Sequence, residues 1–304
     1  MLRSLFGALA IAATALPALA ADSYESFGPL RPTYPTSWET DEANPLRFEA
    51  GLRYWYAWGE QSIDVDQATF SANDRSHIIE GHLRIDDDYT SSFLKAQAGY
   101  AAATNGEYSG DLLSGETSFT GGQIGYAGAD FGWTPFGNEN FRFGGLIGYQ
   151  FLRESPDRNR LDVAHIDGLN IHALRLGLTG HADLSQWVDV EVEGAIIPYA
   201  YASGSTAEMP FDDMEVGGVT VNRSRLDLTG ALRGVSGQAM VGFHPTENLT
   251  LRLGGRAWLL TGSTSATERQ WNSATPDSYL YDSVEVGGLN LIRYGLLAEV
   301  SGRF

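Results

Sequence analysis

The side chains best suited to acid–base chemistry in this sequence are six histidines: His77, His82, His165, His172, His181 and His244. On a β-strand an imidazole can deprotonate a hydroxyl nucleophile of its own face when the two lie two residues apart. None of the six has a serine two residues on. Paired carboxylates can instead activate a water for hydrolysis. Asp64-Val65-Asp66 supplies such a pair, and Asp162-Val163-Ala164-His165-Ile166-Asp167 holds the imidazole that would serve it. Asp64, Asp66 and His165 are therefore the candidate catalytic residues, provided the fold brings their two segments together. Asp86-Asp87-Asp88 offers oxygen ligands of the kind Ca²⁺ takes, but three carboxylates in a tight turn are more simply solvated. Other acids fall in polar stretches: Glu154, Asp157, Asp212, Asp213, Glu215, Asp277 and Asp282. Divalent ions bridging them to anionic lipid are one use for that charge. There is no phosphate-cradling glycine loop, zinc-ligand spacing or dinucleotide fingerprint, so no cofactor and no resident metal is expected.

Composition narrows the class. The chain has 304 residues, with 38 Asp+Glu against 20 Lys+Arg and a net charge of −18. Nucleic acid is excluded as a partner, because phosphate binding needs a basic stripe. Lys95 is the one lysine, and the other basic residues are arginines. Glycine is abundant at 36 residues and cysteine is absent. The first 20 residues read as an export signal: Met1-Leu2-Arg3 is positive, Leu5 to Leu16 is apolar, and Ala18-Leu19-Ala20 is a small-residue cleavage site. The apolar run is too short to span a bilayer. Residues 21–45 carry Pro29, Pro32, Pro35 and Pro45 and read as an extended tail. An exported chain without cysteine must be stabilised by something other than disulfides.

From residue 46 to 304 the recurring pattern has period two, which means strands with two different faces. In 46–58 one face is Phe48, Ala50, Leu52, Tyr54, Tyr56 and Trp58, and the other is Glu49, Gly51, Arg53, Trp55 and Ala57. Val188, Val190 and Val192 oppose Asp189, Glu191 and Glu193, and Leu249, Leu251 and Leu253 oppose Thr250, Arg252 and Gly254. A soluble barrel would place Lys, Thr and Ser freely on its polar face. Here the polar faces mix Arg, Glu and Asp with Gly and Trp, which suits an enclosed lumen with the apolar face turned to lipid. Aromatics fall near both sets of strand ends: Phe131, Trp133, Phe136, Phe141, Phe143, Trp187, Phe243 and Phe304 at one, and Tyr56, Trp58, Tyr149, Phe151, Tyr199 and Tyr201 at the other. Two such belts mark the two membrane interfaces.

Connections alternate in length. Short ones fall at 86–90, 134–140, 184–186 and 245–248, and long polar ones at about 59–75, 104–118, 153–170, 202–231 and 262–288. Short turns on one side and long loops on the other predict an all-β fold, a transmembrane antiparallel β-barrel of about ten strands, with eight or twelve as alternatives. The expected strands are about 47–58, 76–85, 91–103, 119–132, 141–152, 171–184, 187–200, 232–243, 249–261 and 289–304. The least regular is 76–85, which carries Glu80. An even count puts both termini on the short-turn, periplasmic side.

The last strand carries a family resemblance. Tyr294, Leu296, Ala298, Val300, Gly302 and Phe304 alternate up to a C-terminal aromatic. This resembles the terminal strand of Gram-negative outer-membrane β-barrel proteins, and the glycine-rich, lysine-poor style is similar to small alphaproteobacterial members. The resemblance implies residence in the outer membrane, contact with its lipid and lipopolysaccharide, and recognition of Phe304 by the barrel assembly machinery. In strand number alone the chain is similar to the omptin proteases and the neisserial Opc-type adhesin. Omptins pair Asp-x-Asp with Asp-x-His at the outer mouth. Asp64-Val65-Asp66 matches the first element, and no Asp-x-His occurs. Mature Ala21-Asp22 resembles the N-termini of alphaproteobacterial barrels joined covalently to peptidoglycan. Twenty-five extended residues reach at most about 80–90 Å, enough to meet a cell wall.

By alternation Arg53, Arg142, Arg175, Arg252, Arg256, Arg293 and Arg303 point inward, facing Glu49, Asp189, Glu191, Glu193 and Glu299. They form either a narrow charged pore or a lumen filled by ion pairs, and about ten strands favour filling. The expected function is a structural or surface-interaction role in the envelope. The alternatives are an outer-membrane enzyme, omptin-like or lipid A-modifying, with its site at the extracellular mouth, and a narrow small-solute pore.

Overall fold

The computed structural model describes residues 45–65, 68–110, 117–138, 140–157, 166–206, 208–284 and 286–304. The expected signal segment and all but the last residue of the tail, Ala21 included, lie outside them. The described chain is antiparallel strand throughout: β1 Leu46–Val65, β2 Ala68–Asp87, β3 Ser92–Gly110, β4 Thr117–Gly137, β5 Phe141–Asp157, β6 Ile166–Ser185, β7 Val188–Thr206, β8 Met209–Val216, β9 Val219–Thr246, β10 Leu249–Asn272, β11 Thr275–Val284 and β12 Val286–Arg303.

These twelve strands make one sheet, and ten of them close a ring. Each of β1 to β6 pairs with the next, β7 pairs with β9, β9 with β10, β10 with β12, and β12 returns to β1. β8 pairs only with β9, and β11 only with β10, as short additions beside the ring. At the seam Glu49 lies opposite Arg303. Phe48 and Phe304 exchange both backbone hydrogen bonds at 3.0 Å, so the C-terminal residue is itself stitched into the wall.

The ring strands run from 17 residues in β5 to 28 in β9. A tilted strand crosses a bilayer with about 9–11 residues, so every strand overhangs. The overhang lies on one side, because the other ends in tight turns at 88–91, 186–187 and 247–248. This corrects one expectation: the connections at 59–75, 104–118, 153–170, 202–231 and 262–288 are in large part continued strand. Their hydrogen bonds run strand to strand, as in Asp64 opposite Thr69 and Trp271 opposite Arg223. Where both faces are polar no alternation betrays a strand, although the backbone pairing is the same.

The wall is apolar outside. Leu52, Ile79, Leu178, Ile196, Leu253 and Leu296 are all exposed on the outer face, Leu253 to 68%. Such a continuous apolar band is far larger than soluble proteins tolerate, and it is the surface a lipid-spanning barrel presents. Phe131, Trp133, Phe136, Phe141, Trp187, Phe243 and Phe304 ring it at the short-turn end, and Tyr54, Tyr100, Tyr149, Tyr199 and Tyr201 at the extended end.

Candidate functional site: the filled lumen

Alternation sends every second residue inward, and the inward residues stack in layers. Near the short turns Arg252 reaches from β10 to three acids. Its Nη1 donates to Glu49 Oε1 at 2.5 Å and to Glu299 Oε1 at 2.6 Å, and its Nη2 to Asp189 Oδ2 at 3.3 Å. Arg303 Nε also donates to Glu49, at 2.8 Å, and Arg84 meets Glu191 at 3.4 Å. Arg142 sits at the rim, 3.9 Å from Asp88.

The next layer spans the barrel. Arg53 donates from Nε to Glu299 at 2.5 Å and from Nη1 to Glu80 at 2.8 Å, while Arg256 Nη1 donates to the other Glu80 oxygen at 2.5 Å. The Tyr126 hydroxyl donates to Glu80 as well. Arg175 binds both Asp130 oxygens, at 2.7 and 2.8 Å, and Glu193 at 2.5 Å, where Lys95 also pairs. The Arg256 guanidinium lies 5.4 Å from the Trp55 ring and 5.6 Å from the Tyr126 ring. A fork of fixed donors can serve several carboxylates at once, which lysine's point charge does less well. Arginine is accordingly the cation at most of these positions.

Toward the extended end the lumen turns apolar. Ile78, Ile124, Leu152, Ile197, Leu260 and Leu291 pack with Trp55 and Trp258 in one buried cluster. Set among them on β12, Arg293 binds Asp74 at 2.9 Å and Glu154 at 2.6 Å, all three buried. At the overhang the Asp227 carboxylate accepts from Arg269 and holds that guanidinium above its ordinary pKa.

All the inward charges expected from the sequence lie on this inner face. Sequence reasoning missed the partners that complete the network: Asp74, Glu80, His82, Lys95, Asp130 and Tyr126. Glu154 is corrected from a loop acid to a lumen residue; β5 runs through it and Arg293 covers it. The Asp86-Asp87-Asp88 carboxylates are engaged by the protein itself: Asp86 by Arg84, Asp87 by the Tyr89 N–H and Thr90, Asp88 by Arg47.

Of the catalytic candidates, Asp64 stands at the outer end of β1, where Thr69 donates to its Oδ1 at 2.8 Å. Asp66 and His165 lie outside the described residues. Among the described residues, two groups of acids and imidazoles come close enough to share a cation: Glu49, His82 and Glu299, and His181, Asp183 and Asp189. In the first, Arg252 Nη1 already bridges the two carboxylates. In the second, Asp189 is answered by His244, Arg252 and Arg303, at 3.3 to 3.5 Å.

No protein-family model and no curated protein matches the chain. Solved structures do. The outer membrane protease OmpT from Escherichia coli superposes with a TM-score of 0.59 at 11% identity, over 88% of this chain and 100% of that one. The translocator domain of the autotransporter NalP from Neisseria meningitidis matches at 0.30 and 12%, over 86% and 89%. The Pseudomonas putida toluene transporter TodX matches at 0.28 and 10%, over 86% and 90%. The likeness to OmpT is one of fold: the chain has the architecture of an outer-membrane β-barrel.

Proposed function

We propose that the chain is an exported outer-membrane barrel with a closed lumen, which serves the envelope structurally and displays a β-rim for surface interaction. The observation that carries the reading is the stacked lumen. A layer of interlocked ion pairs is followed by a layer of buried aliphatic side chains, and neither suits the passage of solutes. On this reading residues 1–20 are the removed signal, residues 21–45 are a periplasmic tail, and both termini face the periplasm with the short turns. The extended end then stands outside the cell. The tail supports a further contact, with peptidoglycan through Ala21, which recovery of Ala21 on muropeptides by mass spectrometry would establish. The Gly217–Gly218 turn joins β8 to β9, with both residues at positive φ, and offers a tolerant place for a short epitope. Antibody binding to that epitope on intact cells is the expected result. Binding only after the outer membrane is opened would reverse the orientation and remove the surface role.

A further inference from the structure

Two hairpins on separate parts of the wall carry one arrangement at the aromatic belt of the extended end. On β1–β2 the Tyr54 hydroxyl meets His77 Nδ1 at 2.5 Å. The imidazole lies 6.0 Å from the Tyr54 ring and 5.1 Å from the Tyr56 ring, at 35° and 49°. On β5–β6 the Tyr149 hydroxyl meets His172 Nδ1 at 2.6 Å. That imidazole lies 6.1 Å from Tyr149 and 5.2 Å from Phe151, at 33° and 49°. Tyrosine and histidine are 23 residues apart in both pairs.

Both histidines are on outward positions of the wall. With the phenol donating to Nδ1, the ring proton sits on Nε2, and a protonated ring keeps it there too. In that tautomer, as in the protonated ring, each pair leaves one N–H donor that the tyrosine does not use. One rung farther out on the same face stands an arginine. Arg75 lies two residues before His77, opposite Trp58, and is exposed with no ion pair among the described residues. Arg153 lies two residues after Phe151, opposite Asn170, and is held by the neutral amides of Gln123 and Asn170. A donor, and a guanidinium without an ion pair among the described residues, directly above an apolar band call for an anion at the depth of lipid headgroups, and the anion abundant at that depth is phosphate.

We infer that Tyr54, His77 and Arg75, and likewise Tyr149, His172 and Arg153, form two equivalent stations for the phosphate of a membrane lipid. In each, imidazole and guanidinium hold the phosphate, and Tyr56 or Phe151 packs beside the lipid's first carbons. The inference rests on the membrane-spanning reading above.

The test uses the full barrel in lipid nanodiscs, after heat-modifiable migration on a gel has verified the closed barrel. Failure at that step contradicts the membrane reading and not the stations. Retention of diphosphorylated lipid A is then compared with its dephosphorylated form. The expected result is preferential retention of the phosphorylated lipid, about tenfold weaker in the His77→Ala/His172→Ala variant, together with a shift of the histidine Nε2 resonances on binding. The variant Arg75→Gln/Arg153→Gln, outside the belt, should lose phosphate preference in the same direction should the histidine variant fail to fold. Equal retention of the two lipids, or wild-type preference in the variants that fold, overturns the inference. An Nε2 shift as large with inorganic phosphate alone overturns the assignment to lipid.

Discussion

Arg256 on β10 donates from Nη1 to Glu80 Oε2 on β2 at 2.5 Å, although β12 and β1 stand between the two strands in the ring. The contact ties together, through the lumen, two strands that do not pair in the wall. Glu80 also receives Arg53 and Tyr126, so one carboxylate satisfies three donors. Its loss would leave the buried Arg256 without a carboxylate partner and Arg53 with Glu299 alone. Glu80→Ala is expected to lower stability by about 3–5 kcal/mol, read by urea unfolding of the barrel in lipid vesicles. Arg47→Ala, which removes an exposed pair with Asp88, should change it by less than about 1 kcal/mol.

Glycine makes room for close approach inside the wall. A Cβ on Gly295 would overlap the Tyr56 carbonyl oxygen and crowd the Trp55 indole. A Cβ on Gly194 would meet nothing within 4 Å. Gly295→Ala should therefore be destabilising by about 1–3 kcal/mol in the same unfolding experiment, and Gly194→Ala close to neutral.

Phe304 joins Phe48 through backbone bonds only, and its side chain is 76% exposed at the short-turn belt. Phe304→Ala keeps the bonds and removes the ring. Spontaneous folding of the purified chain into vesicles should be little changed, while the amount assembled in cells should fall severalfold, measured by heat-modifiable migration. An unchanged yield in cells would remove the assembly role given to the terminal aromatic.

Asp64 is a rim carboxylate bonded to Thr69. Asp64→Asn is expected to alter neither peptide cleavage nor lipid A composition when mass spectra of both are compared with wild type. Loss of a wild-type turnover on that substitution would restore the enzyme reading.

The architecture was legible in the sequence wherever the two faces of a strand differ chemically. Leu249 to Leu253 and Tyr294 to Phe304 announce their strands through alternation, and ten strands do close the ring. Two things stayed hidden for definite reasons. In the overhang, as at Gln61 to Asp64 and Ser71 to Asp74, polar residues stand on both faces, so pairing leaves no periodic trace. In the extended half of the lumen Ile197, Leu260 and Leu291 belong to runs apolar on both faces, and period two cannot assign such runs to lipid or lumen. Glu80 illustrates a third limit. As a lone acid it made 76–85 the least regular strand, because its partners Arg53, Arg256 and Tyr126 sit on three other strands.

On the proposed function this barrel is filled. Single-channel recording of the folded, heat-modifiable barrel in planar bilayers tests it most directly. The expected trace is a flat baseline with no steady conductance steps. Reproducible steps on the order of a nanosiemens, the scale of an open water-filled barrel, would contradict it.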